Sequence, residues 1–320
     1  MTGFKTVTAY GTAANNSVAV FSGSTENDTF YASNLGAQFF GTQSGATTPD
    51  FFYSIWGGFN TVTANAGTGS NVAHFHDYLA GQADTLTLGP TSGDYKGVAF
   101  ENIANGFQLI HAFADGYNNS TAVINGSSAA ENFIVTPNGA QLYRNGVKNV
   151  EAFWFKHTTV NSGGGADTAN WWHLSSSGNT FQASPTSAII TGAGFDRTIN
   201  NMSTVIAEGQ TSDKAIFNGS SGADSLTADG TQVVLSGAGY TVETFPNRSF
   251  GQVSVYGKSG TDSALVDNAF IESGLTNELG SAYSKGLWLY DFSSLHTTAK
   301  PANPTPAVHA IDSVMSMYWQ

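Results

Sequence analysis

From about residue 16 to residue 270 the chain is a succession of short runs in which apolar residues alternate with Ser, Thr, Asn and other polar ones. Gly106-Phe107-Gln108-Leu109-Ile110-His111-Ala112 and Thr231-Gln232-Val233-Val234-Leu235 are typical. A period of two marks strands with one buried face. Clusters of Gly, Asn, Asp and Ser separate the runs, as strand punctuation requires. Before residue 300 no segment sustains the 3.6-residue period of a helix.

The runs recur as a block. Ala19-Val20-Phe21-Ser22-Gly23-Ser24 returns as Ala73-His74-Phe75-His76-Asp77, then Ala122-Val123-Ile124-Asn125-Gly126-Ser127, then Ala169-Asn170-Trp171-Trp172. Further copies are Ala215-Ile216-Phe217-Asn218-Gly219-Ser220 and a truncated Ala264-Leu265-Val266-Asp267. The leading alanines are 54, 49, 47, 46 and 49 residues apart. Each unit of about 48 residues holds about five short strands.

Two all-β architectures suit such a unit: a β-propeller blade, or two turns of a parallel β-helix near 24 residues each, with three strands per turn. The parallel β-helix, a solenoid, is the expectation. Blades need tight two-residue hairpins, whereas wide Gly/Ser/Asp corners turn the chain without reversing it. Drift in repeat length is absorbed by loops on a solenoid face. The expected organisation is an N-terminal cap over residues 1–15, solenoid repeats over 16–272 and a C-terminal cap over 273–320. That last part carries a Pro-rich stretch from Pro301 to Pro306 and one helical candidate over 307–319, with Val308, Ile311, Val314 and Tyr318 on one face.

Composition narrows the setting. Only 11% of the residues are charged and 12% are aromatic, which excludes a disordered chain. The net charge of −12 argues against nucleic acid and anionic lipid as partners. With no cysteine, disulfides, thiolate metal sites and cysteine nucleophiles are excluded. No window reaches the ~20 apolar residues of a membrane span, and Met1-Thr2-Gly3-Phe4-Lys5 is no signal peptide. An exported chain would begin after its leader or be a fragment of a longer one.

Gly219-Ser220-Ser221-Gly222-Ala223-Asp224-Ser225-Leu226 has the form Gly-Ser-x-x-x-Asp-x-Leu. With the repeats over residues 16–270 it resembles the Gly/Asp-rich repeat regions of large secreted or cell-surface bacterial proteins. The resemblance implies an extracellular or cell-surface location.

Several residues carry candidate chemistry. Asp167, Asp224 and Asp262 follow Gly-rich turns reminiscent of calcium-binding nonapeptides, which need six to eight oxygens; the plain alternative is an Asx turn. His74 and His76 project from one face of a strand beside Asp77, a geometry for zinc or copper, with His111 a further ligand. A polysaccharide lyase, epimerase or hydrolase on a β-helix would draw on His111, on Lys156 with His157, on Arg144 with Lys148, or on the pair Glu131 and Glu151. Trp56, Trp154, Trp171 and Trp172 fall within the repeats, and an exposed indole stacks on a sugar ring; Trp154, Trp171 and Trp172 are the ligand-binding candidates. Nucleotide-loop, serine-elbow and zinc-helix motifs are absent. The first expectation is therefore an extracellular structural or adhesive module that meets polysaccharide or other cell-surface components. The alternatives are a polysaccharide-active enzyme with its site in the His-rich second to fourth repeats, and a trimeric phage-type fibre.

Overall fold

The computed structural model describes residues 6–11, 17–43, 45–78, 83–115, 119–173, 178–229, 231–246, 250–266, 287–297 and 316–319. They form an all-β solenoid with no helix among them. The chain divides into two compact units: Met1–Phe133 with Asn138–Gly164, and Ile134–Pro137 with Gly165–Gln320.

In the first unit the chain shuttles between two sheets. The front sheet contains, in order, Thr6–Tyr10, Phe51–Trp56, Gly36–Thr42, Asn27–Ser33, Val72–Asp77, Leu109–Ala114, Val147–Phe153 and Gly139–Arg144. The back sheet contains Ser17–Ser22, Phe59–Asn65, Glu101–Asn105, Ser92–Lys96, Thr85–Gly89, Thr121–Asn125 and His157–Asn161. Pairing between coils is parallel, as in Asn27–Ser33 with Val72–Asp77. The second unit follows the same plan. Thr168–Trp171, Thr204–Ala207, Ser225–Ala228 and Ser263–Val266 belong to one sheet, and Thr180–Ala183, Lys214–Asn218 and Gln252–Tyr256 to the other.

Each repeat also contains something the expectation lacked. One of its steps is a three-stranded antiparallel meander, such as Asn27–Ser33, Gly36–Thr42 and Phe51–Trp56. The coil is thus two-sided with interposed hairpins, not a three-strand turn of about 24 residues. Tight turns make these reversals. At Asn145 and Gly146 both φ angles are positive, 53° and 75°, as a type I′ hairpin turn demands. A repeat is one meander plus two single strands, and the chain changes sheet at each step. Three changes per repeat send successive meanders to alternate sheets. The leading alanines alternate too: Ala19 and Ala122 lie on the back sheet and Ala73 on the front.

Corners explain the Gly-Ser-x-x-x-acid motif. The Asp28 carboxylate accepts from Ser24 N–H at 3.1 Å, Ser24 Oγ at 2.9 Å and Gly67 N–H at 2.9 Å. Glu131 likewise accepts from Ser127 N–H at 2.7 Å and from Ser127 Oγ, and Asp224 from Ser220 Oγ at 3.0 Å. The carboxylate packs directly on the glycine. A Cβ at Gly126 would lie 2.5 Å from Glu131 Oε2, and one at Gly219 2.5 Å from Asp224 Oδ2. Corners also link coils: Asp28 N–H donates to Asn71 Oδ1 at 2.6 Å, and Asn71 N–H to Gln108 Oε1 at 2.7 Å. Buried charge is tolerated because backbone donors satisfy it.

Inward residues of both sheets meet in the core. In the first unit the buried Phe30 packs on Phe75 at 6.1 Å between centroids and on Phe107 at 6.2 Å. In the second, Phe181 packs on Phe217 at 6.0 Å. The buried Arg197 there donates from Nε to the Thr136 carbonyl at 3.0 Å and from Nη1 to the Asp196 carbonyl at 2.7 Å.

Of the helical candidate over 307–319, residues 307–315 lie outside the described residues. Ser316–Trp319 is a strand, paired in parallel with Ser294–Thr297. The open edge of that neighbouring strand supplies backbone partners that override the helical period. At the other end, Thr6–Tyr10 pairs with Phe52–Trp56.

Candidate functional site

The outer face of the front sheet gathers aromatic and histidine side chains that are scattered in sequence. Parallel register sets Tyr31, His74, His111 and Glu151 side by side on neighbouring strands. Tyr31 stacks on His74 with centroids 4.3 Å apart and planes within 7°, and His74 stacks on His111 at 4.9 Å. His111 Nδ1 and Lys148 Nζ both donate to Glu151. Burial, then the neighbouring His111 and His76, pushes the His74 imidazole down to about 4. Burial pushes the Glu151 carboxyl up, but the hydrogen bonds from His111 and Lys148 outweigh it and hold the group at about 2. The column therefore ends in an anchored ion pair and carries a neutral His74 at neutral pH.

The adjacent row is Ser33, His76, Phe113 and Phe153. Two open depressions meet there at His76 and Tyr78, whose rings stack at 5.4 Å. One, of 270 Å³, is floored by Ser33, Gly36 and Ala37 and walled by Tyr31 and Trp56. The other, of 320 Å³, is walled by Phe113 and Trp154 and edged by Asp77 and Asp115. Trp56 and Trp154 are each 45% exposed, and Tyr78 is 52% exposed. Gly36 pairs with both Ser33 and Trp56, so small residues open the space between two large rings.

Trp154 has an unusual backbone. Its φ is +67°, a conformation costly for a bulky residue. It directly follows the last strand of a meander. After the meander that ends at Thr244 the same position is Phe245, without a positive φ and with its N–H donated to Ala207 O at 2.8 Å; after the other three it is Gly57, Gly106 or Asn201, with φ of 54°, 79° and 57°. The four residues with positive φ, Trp154 among them, donate their N–H to the turn between the first two meander strands. The acceptors are Asn138 O at 2.7 Å for Trp154, Leu35 O at 3.4 Å for Gly57, Thr91 O at 2.9 Å for Gly106 and Thr186 O at 2.7 Å for Asn201. Glycine and asparagine are the residues that accept this geometry. Only in this copy does a tryptophan occupy it, with its indole 5.4 Å from the Phe113 ring and turned to solvent.

Other candidates lie elsewhere. His74, His76 and His111 share the outer front face, but His74 and His111 stack their rings face to face; His157 is on the back sheet, opposite Thr121. Lys156 donates to Asn119 Oδ1 at 3.2 Å. Glu131 is bound into a corner whereas Glu151 faces outward, and Arg144 ends a strand of the front sheet. Trp171 is buried against Phe195 at 6.1 Å, while Trp172 is exposed. Asp167, Asp224 and Asp262 are all buried at corners; Asp262 Oδ1 accepts from Asp224 N–H at 2.8 Å. Asp77 is buried and its carboxylate accepts from Ser120 Oγ at 2.7 Å. Among the described residues no three His, Asp or Glu side chains group as metal ligands. Sequence reasoning passed over Tyr31, Tyr78 and Phe113. Their outward positions follow from strand alternation, but their proximity follows only from inter-coil register.

Comparison of the chain with protein-family models, curated proteins and solved structures returns no match.

Proposed function

We propose that the chain is an extracellular adhesive solenoid whose first unit binds carbohydrate, without catalysis, in the aromatic groove of its front sheet. The observation that carries this reading is Trp154. A tryptophan in a glycine conformation costs the fold about 1–2 kcal/mol, and backbone strain of this kind collects at ligand sites. What the strain achieves is an exposed indole beside Phe113, facing along the same groove as Tyr78 and Trp56. Exposed rings with polar edges are the surface that sugar C–H faces stack on, while Asp115 and Gln38 offer further hydrogen-bonding groups and Ser33 lies on the floor.

Trp154→Gly tests the reading because it separates fold from function. Removing the strained side chain raises stability by about 1 kcal/mol in urea unfolding, while retention on insoluble polysaccharides is lost. A variant that binds as tightly as the parent would sink the proposal.

A further inference from the structure

Resting on the carbohydrate reading, the groove's geometry says which form of carbohydrate it takes. We infer that the ligand is the interior of a linear, uncharged polysaccharide, lying across the strands from Trp56 to Trp154. The length comes from the register. The strand that ends at Trp56 and the strand that Trp154 directly follows are separated by five inter-strand steps, which at the usual spacing is roughly 24 Å. That spans several sugar rings, far more than a monosaccharide or a chain end needs. Both depressions are open, and they join end to end at His76 and Tyr78. Among the described residues no wall stops a chain from entering at one side and leaving at the other.

The charge comes from the lining. Among the described residues no Lys or Arg lines either depression. The carboxylates there are Asp77, buried, and Asp115, exposed. Lys148 is bound to Glu151 outside the groove. His76, at the junction, is pushed down by burial and is neutral at neutral pH. A uronate or sulfate would meet an exposed carboxylate, no fixed cation and a net charge of −12. Uncharged sugars meet rings and hydrogen-bonding edges.

Isothermal titration of the full chain with cello-, xylo-, manno- and chito-oligosaccharides, from disaccharide to octasaccharide, tests this. In at least one series, affinity rises about tenfold or more from trisaccharide to hexasaccharide and then levels off. Trp56→Ala and Trp154→Ala each abolish the gain with length, with unchanged circular dichroism; Trp56→Phe retains most of it. Polygalacturonate binds at least about tenfold more weakly than its methyl ester. A disaccharide binding as well as a hexasaccharide, or polygalacturonate binding as well as its ester, overturns the inference and leaves the carbohydrate reading standing. Failure of every oligosaccharide and every insoluble polysaccharide overturns both.

Discussion

Individual residues in this chain are chosen by close approach. The glycine of the corner motif exists because a carboxylate lies where its Cβ would be, and the carboxylate exists because a turn leaves N–H groups without partners. Gly219→Ala forces Asp224 to move and loses about 1–3 kcal/mol. Asp224→Ala leaves buried donors unsatisfied and loses about 1–3 kcal/mol. Because both changes break one contact, the double variant loses clearly less than the sum, which urea unfolding of the three variants checks. The motif itself was legible in Gly219-Ser220 and Asp224. Trp154 was legible only as a tryptophan: that it occupies a left-handed position becomes visible when its meander is superposed on those ending at Gly57 and Asn201.

Elements obey two kinds of signal. Strand content was plain from alternation, and about five strands per repeat is what the chain forms. One hairpin is written locally in Asn145-Gly146, a two-residue turn signal that the repeat does not carry at this place in its other copies. Replacing both residues with alanine loses about 1–3 kcal/mol in urea unfolding, since alanine bears a positive φ less well than glycine or asparagine. The stack on the front sheet adds a pH dependence. An unfolded His74 takes up a proton near 6.5, whereas the native one does so near 4; an unfolded Glu151 protonates near 4.5, the native one near 2. In both cases the unfolded chain binds protons first, so the stability these two groups contribute is full above pH 6.5 and falls as the pH drops toward 2. His74→Phe keeps the ring stack and removes the upper part of that slope, between pH 6.5 and 4. A pH series of thermal melts in which parent and variant run parallel through that window would refute the assignment.

At the scale of the whole molecule, repetition announced the solenoid and left the site hidden. The groove is assembled from residues between Tyr31 and Trp154, and only the register between coils brings them together. Low charge density and a net charge of −12 leave mutual repulsion with few internal cations to offset it. Raising sodium chloride from millimolar to near-molar concentration screens that repulsion, and the melting temperature rises by about 2–4 °C. A fall with added salt would point to ion pairs as the dominant electrostatic contribution.

The odd number of sheet changes in each repeat has a corollary for how such a chain can grow. Copying or deleting one repeat transposes every following strand of its unit to the opposite wall, turning a ligand-facing surface into a rear one. Repeats gained or lost in twos restore the original handed order. Parity, more than length, thus limits which duplications leave a working surface intact, and a variant with one repeat excised between Ala19 and Ala73 would present the His111 strand on the side now held by Thr121.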